Sequence, residues 1–268
     1  MKRSIDRILT KPVGSFHRPP TLENMMMAER KGEPVDPQEL ATEIQKAAAD
    51  IVAMQIACGM DYVSDGEVAK ISFMEYPYQR LSGFTGGLTG WVPPDILDFE
   101  DTRDFWYQSS APYVELRQND GPIQLVHPDL VQVDLANFRQ ALSAHQNVEG
   151  FLCAASPGVV GLVGTTFYQD ESTFFHAIAD AMMSEYRAIL DAGYMLQLDI
   201  PDVTMIGAYL LQDRDLYRQS VQPRIEVLKY VLSNLPAEKI VLHACWGNWP
   251  GPHHRDTPLD WMIDLLLD

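Results

Sequence analysis

Residues 240–254 read IVLHACWGNWPGPHH, and this run decides how the rest of the chain is understood. An apolar stretch from Ile240 ends in His243, then come Ala244 and Cys245, two tryptophans flanking Gly247 and Asn248, a Pro-Gly-Pro turn and two more histidines. On a strand, residues i and i+2 point to the same side. His243 and Cys245 therefore face together at a strand's C-terminal end. Imidazole and thiolate are ligands that zinc takes readily. A half-buried cysteine beside a hydrogen-bonded histidine fits the same pattern. Two ligands do not hold zinc tightly, so a metal here needs further donors.

Outward from this run, strands and helices alternate. Residues 216–236 have helical spacing, with Pro223 expected to kink or break the helix because it lacks an N–H and crowds the preceding turn. YMLQLDIPD at 194–202 reads as a strand carrying Asp199 near its end, and 171–193 as a helix closed by Gly193. GFLCAASPG at 150–158 is a strand that reaches Ser156. Residues 37–58 form a long helix. Pro37 suits its first turn, Leu40, Ile44, Ala47, Ile51, Met54 and Cys58 recur at helical spacing, and Gly59 ends it. DYVSDGE at 61–67 is a short strand with a polar end, Asp65 and Glu67, and PVGSF at 12–16, with Ser15, is the first strand. PLDWMIDLLLD at 258–268 begins another helix.

Residues 80–148 break this rhythm with GFTGG, GWVPPD, the acidic DFEDTRD, and YVELRQNDGPIQLV, which reads as a hairpin turning at Asn-Asp-Gly. The stretch is expected to be a lid-like insertion in one domain spanning 1–268. Strand–helix alternation with polar groups at strand ends points to a parallel α/β fold. In a TIM (β/α)8-type barrel such ends converge on one face, whereas in a doubly wound sheet they spread along an edge. No GxGxxG follows the first strand, which favours the barrel. About five βα units are countable, so the expected barrel is incomplete: a truncated product, a fragment, or a chain completed by another copy as a homo-oligomer.

Composition limits the partners. The 268 residues are 46% hydrophobic, enough for a sizeable core, and their formal net charge of −17 argues against nucleic acid and anionic membranes. No apolar run approaches the roughly 20 residues of a membrane helix, and MKRSIDRILTKPVGS is too polar for a signal peptide. Cys58, Cys153 and Cys245 are widely spaced and odd in number. They suit a reducing, cytoplasmic compartment better than a disulfide framework.

VLHACWGNWPGPHHRDTPL at 241–259 resembles the zinc-binding strand of the cobalamin-independent methionine synthase family, a catalytic barrel of the uroporphyrinogen-decarboxylase-like superfamily. Three more stretches match in order. VGSFHRPPTL at 13–22 resembles the first-strand motif, QIACGMDYVSDGE at 55–67 the second, and LQLDIPD at 196–202 the fourth-strand motif. The resemblance runs from about Pro12 to the C-terminus and is weakest over 80–148. It implies a zinc-dependent methyltransferase that passes a methyl group from methyl-tetrahydrofolate to the thiol of homocysteine, giving methionine. It implies Zn2+ as cofactor, with His243 and Cys245 among its ligands, and Ser15, Glu67 and Asp199 holding the amino-acid substrate. A free thiol with a pKa of about 8.5 is mostly protonated near neutrality, and a coordinated thiol is not. Two carboxylates suit a substrate ammonium, and the serine region can donate to its carboxylate. No catalytic acid or base is assigned.

The match has departures. Ile200 stands where the family has glutamate, and no cysteine follows Cys245 to complete a ligand set. Weak zinc binding is the expectation. Related zinc–thiol chemistry with coenzyme M or a methyl-corrinoid donor is the alternative within the class. A metal-free decarboxylase would need Arg18 and Arg80 to hold substrate carboxylates, and a catalytically dead truncated homologue is a third outcome. Trp246 and Trp249 suit packing more than stacking on a pterin, His253 and His254 read as loop residues, and Met25 to Met27 as helix core. Cys58 and Cys153 read as small buried residues.

Overall fold

The computed structural model describes residues 4–89, 92–109, 115–145, 147–210, 213–249 and 251–268. In chain order its elements are α1 (Pro20–Arg30), α2 (Pro37–Ala57), β1 (Tyr62–Val63), β2 (Phe84–Thr89), α3 (Pro94–Leu97), α4 (Glu100–Ser109), β3 (Glu115–Asn119), α5 (Leu130–Leu142), β4 (Glu149–Ala155), α6 (Pro157–Val160), α7 (Glu171–Asp191), β5 (Met195–Asp199), α8 (Pro201–Tyr209), α9 (Arg214–Ser233), β6 (Ile240–His243) and α10 (Ile263–Leu267). Four strands form a parallel sheet in the order β1-β4-β5-β6. The chain is an α/β protein with the sheet and helices of a partial barrel.

The long helices start where the sequence puts their caps. Asp36 accepts the backbone N–H groups of Gln38 and Glu39 at the start of α2, and Asp170 accepts that of Thr173 at the start of α7. A side-chain acceptor there satisfies donors the helix cannot. The helices cover one face of the sheet. Leu152, Ala154, Leu196 and Leu198 point into this layer and meet Phe138, Phe174, Tyr186, Tyr217 and Val231. The period of two along each strand sends the alternate residues to the opposite face. There Tyr62, Phe151, Cys153 and Met195 form a smaller cluster with Leu9 and Val241.

A segment over residues 7–12 covers part of that second face. The Thr10 carbonyl accepts the N–H groups of Asp61 and Tyr62. The Asp61 carboxylate in turn takes the Arg7 guanidinium and the Thr10 N–H. The Lys11 ammonium lies 3.8 Å from the centre of the Phe151 ring.

Several local expectations are corrected. Residues 12–16 form no ladder strand: Pro12 offers no N–H and Gly14 turns at φ +77°. Pro223 does not break α9, which runs through it from Arg214 to Ser233 with Tyr217, Val221, Ile225 and Leu228 buried on one face. That burial outweighs one missing hydrogen bond. Pro201 and Asp202 open α8 rather than ending the strand. Cys58 is exposed at the end of α2, because it falls on the side of the helix turned from the sheet. The Asn-Asp-Gly turn does reverse the chain, but β3 pairs antiparallel with β2. Residues 121–126 return instead beside Arg80 to Ser82. The Asn119 side chain ties these segments by donating to the Gly83 and Gly121 carbonyls, both at 2.8 Å. Gly90, Trp91, Tyr113, Val114 and Pro250 lie outside the described residues. Within the same stretch α5 packs against α2 in the main helical layer. No described helix is long and apolar enough to cross a membrane.

Candidate active site

The register of the sheet builds the site. Ala155 pairs with Asp199, and Asp199 pairs with His243, so three strand ends stop in one row. Asp199 and His243 face the same side there, and Asp199 Oδ1 meets His243 Nδ1 at 2.8 Å. Gln197, two residues before Asp199, donates to the same Oδ1 at 2.7 Å and to Cys153 Sγ at 3.2 Å. The Gln197 carbonyl oxygen accepts the Lys11 ammonium. The row is thus one polar chain from Lys11 through Gln197 and Asp199 to His243. Both bonds to Asp199 fall on Oδ1, which leaves Oδ2 for a ligand.

Cys245 lies half-buried just past the end of β6, two residues beyond His243. The Asp199 carboxylate, and then the Cys245 sulfur, push the His243 pKa up to about 10. A carboxylate behind one imidazole nitrogen is the usual partner of a metal-ligating histidine. His243 and Cys245 therefore suit two positions of a zinc ion. Among the described residues, no group of three or more His, Cys, Asp and Glu side chains is placed to hold a metal. The pair offers two donors of the type zinc takes.

Glu67 enters from the next strand over. It follows Gly66, and both take left-handed backbone angles, φ +68° and +55°. Glu67 is only 4% exposed. Burial pushes its pKa up to about 7, against the pull of Lys70 and with the repulsion of Asp199 and Asp65. Lys70, itself buried, donates to the Cys153 carbonyl at 2.7 Å. Burial alone would lower its pKa, but Glu67, Asp65 and Glu185 together hold it above the ordinary lysine range. Ser15 is exposed, and the Phe16 N–H bond to the Gly66 carbonyl at 3.0 Å brings it beside the Glu67 turn.

Other candidates are committed elsewhere. Arg18 spends its guanidinium on backbone carbonyls of the Glu67 turn. Arg80 is buried against Glu185 at 2.7 Å. Neither is free to hold substrate carboxylates as a decarboxylase requires. Trp246 donates to the Thr257 carbonyl, and Trp249 donates to the Pro252 carbonyl while stacking on His253 at 4.5 Å. His253 meets Asp256, and His254 meets Asp98 at 2.8 Å. These groups tie the 246–257 loop to itself and to α3. Gln197, Lys11 and Lys70 were not singled out from the sequence. Gln197 had one signal, its place two residues before a strand-end aspartate. Lys70 had another, its place one turn after Glu67.

No family model matches the chain. A methionine synthase from Sulfolobus acidocaldarius is 22% identical over the whole of it, and the chain spans 70% of that protein. A 5-methyltetrahydropteroyltriglutamate–homocysteine methyltransferase from Shewanella oneidensis is 26% identical over 72% of the chain, which corresponds to only 23% of that protein. Among solved structures, a putative vitamin-B12-independent methionine synthase from Listeria monocytogenes superposes on 91% of the chain with a TM-score of 0.63, at 19% identity, over 68% of its own length. A B12-independent methionine synthase from a Shewanella species, in complex with selenomethionine, superposes on 80% of the chain with a TM-score of 0.54, at 17% identity, over 54% of its own length. In sequence along its length, and in the arrangement of its sheet and helices, the chain resembles the cobalamin-independent methionine synthases.

Proposed function

We propose that the chain carries the thiol-binding half of a methyltransferase site that moves a methyl group from methyl-tetrahydrofolate to homocysteine. The observation that carries this is the row in which Asp199 Oδ1 and His243 Nδ1 meet at 2.8 Å, with Cys245 two residues beyond that ring. His243 and Cys245 would hold zinc, with a third donor from outside the pair. Zinc would supply the Lewis acidity that keeps a bound thiol ionised near neutral pH. The protein's own groups handle the rest of the substrate. Asp199 Oδ2 and the Glu67 carboxylate take its ammonium, and the ammonium favours the ionised form of Glu67. The backbone around Ser15 takes its carboxylate. Within a single domain over 1–268, the part of residues 80–148 outside α5 would cover the site. Its three free thiols suit a reducing cytoplasm.

The test is metal content. The purified chain is dialysed against a weak chelator, beside Cys245→Ser, and bound zinc is measured. The wild type is expected to retain zinc, up to one per chain, and the variant to lose it. Equal content in the two proteins, or none in either, removes the metal from this assignment.

A further inference from the structure

The turn that carries Glu67 is held from outside its own strand. Arg18 donates from Nε to the Val68 carbonyl at 3.0 Å and from Nη2 to the Glu67 carbonyl at 3.2 Å. The same Nη2 reaches the Lys70 carbonyl. One planar guanidinium thus gathers three carbonyls of a single turn. Two residues upstream, the Phe16 N–H donates to the Gly66 carbonyl at 3.0 Å. The Gly66 turn is also seated tightly, since a Cβ added there would lie 2.8 Å from Ile51 Cγ2 and 3.3 Å from Phe16 Cβ.

Glu67 needs this support. It is the one non-glycine residue among those described with a positive φ, +55°, a region that L-residues with a Cβ disfavour. Such angles persist where the surroundings over-determine them. Within the turn three bonds are local: Ser64 Oγ accepts the Gly66 N–H at 3.2 Å, Asp65 Oδ1 accepts the Glu67 N–H at 3.0 Å, and the Glu67 carbonyl accepts the Lys70 N–H at 3.0 Å. The Val68 and Lys70 carbonyls depend on Arg18. Lysine cannot replace it, because an ammonium is a point donor and the guanidinium is a fixed fork.

We propose that Arg18 is a positioning residue, whose guanidinium fixes the left-handed backbone of Glu67 and so aims that carboxylate at a substrate ammonium. This rests on Glu67 being an ammonium partner, and the test separates the two. Binding of L-methionine and of 4-(methylthio)butanoate, the same molecule without its amino group, is measured by calorimetry on the full chain. The proteins compared are wild type, Arg18→Lys, Arg18→Met and Arg7→Met. The last removes the Arg7–Asp61 ion pair and leaves the Glu67 turn alone. Thermal unfolding of each variant is recorded alongside.

Wild type and Arg7→Met are expected to prefer L-methionine by about tenfold or more, the worth of one good charge-assisted contact. Arg18→Lys and Arg18→Met are expected to lower that preference severalfold, through weaker binding of L-methionine alone, with Asp199 keeping its share. A variant that was merely loosened would lose both ligands together. Arg18→Lys keeps charge and bulk, so it remains informative if Arg18→Met does not fold. Wild-type preference in Arg18→Lys would overturn the positioning role. Absence of any preference in the wild type would overturn the role of Glu67 itself, and the proposal with it.

Discussion

Glu67→Gln should make the protein more stable, and only above mildly acidic pH. Burial raises the Glu67 pKa from its ordinary 4.5 to about 7. The native state thus prefers the protonated carboxyl, and the stability this gives is complete below pH 4.5 and lost as pH rises through about 7. Each factor of ten in proton affinity is worth about 1.4 kcal/mol, so the full loss is about 3 kcal/mol by linkage. About 1.4 kcal/mol of it is already gone at pH 5.5, which leaves about 2 kcal/mol between pH 5.5 and 8. Glutamine has the same shape and no proton to lose. The stability difference, variant minus wild type, should therefore grow by about 2 kcal/mol over that window, or about 4–8 °C in Tm for a chain of this size. Lys70 loses a neighbouring charge in the variant, but Asp65 and Glu185 keep it protonated throughout. That loss arises only where Glu67 is ionised, and the Glu67 value of about 7 already contains the pull of Lys70. Urea unfolding of both proteins at pH 5.5 and pH 8 reads the difference of differences. A value of zero, or one of opposite sign, would show that Glu67 is not carried into the interior as a costly charge.

Two further substitutions test the packing behind the site. Arg80→Met strands the buried Glu185 carboxylate, which sits 2.7 Å from Arg80 with both side chains at 5% exposure or less. It should cost about 3–5 kcal/mol in urea unfolding, and the double variant Arg80→Met/Glu185→Met should recover most of that. Gly158→Ala would press a methyl group onto Asp202 Oδ2, 2.8 Å from its Cγ and 3.2 Å from Arg224 Cγ. It disturbs the Ser156–Asp202 bond and should lower Tm by about 4–8 °C, the effect of about 2 kcal/mol of overpacking; an unchanged Tm would mean that this contact relaxes freely.

What could be read from the sequence was local and periodic. Asp199, His243 and Cys245 were found because strand ends and an i, i+2 spacing are visible along the chain. The α2 helix is legible because Pro37, the helical spacing from Leu40 to Cys58 and Gly59 agree. The failures came where distant segments decide the outcome. Pro12 to Phe16 looked like a strand from their apolar character, yet Pro12 and Gly14 leave them beside β1 without a ladder. Pro223 looked like a break, and the buried face of α9 overrode it. Asn-Asp-Gly marked a true reversal, but β2 supplied the partner strand for β3. Lys11 and Gln197 are separated by 186 positions, and no pattern along the chain connects them. Arg18 belongs to a sequence motif, while its hold on the Glu67 turn exists only in three dimensions.

The two ends of the sheet differ in one respect that bears on how copies could meet. At β1 the outward N–H groups of Asp61 and Tyr62 are taken by the Thr10 carbonyl. At β6 no described strand lies on the outer side. An unpaired strand edge is a template for another chain, and here one border offers it while the other is stoppered. Recruitment through backbone pairing then has a single polarity. Two copies related by a two-fold axis can join β6 to β6, each consuming the edge the other needs. A contact that uses the same surface twice closes on itself.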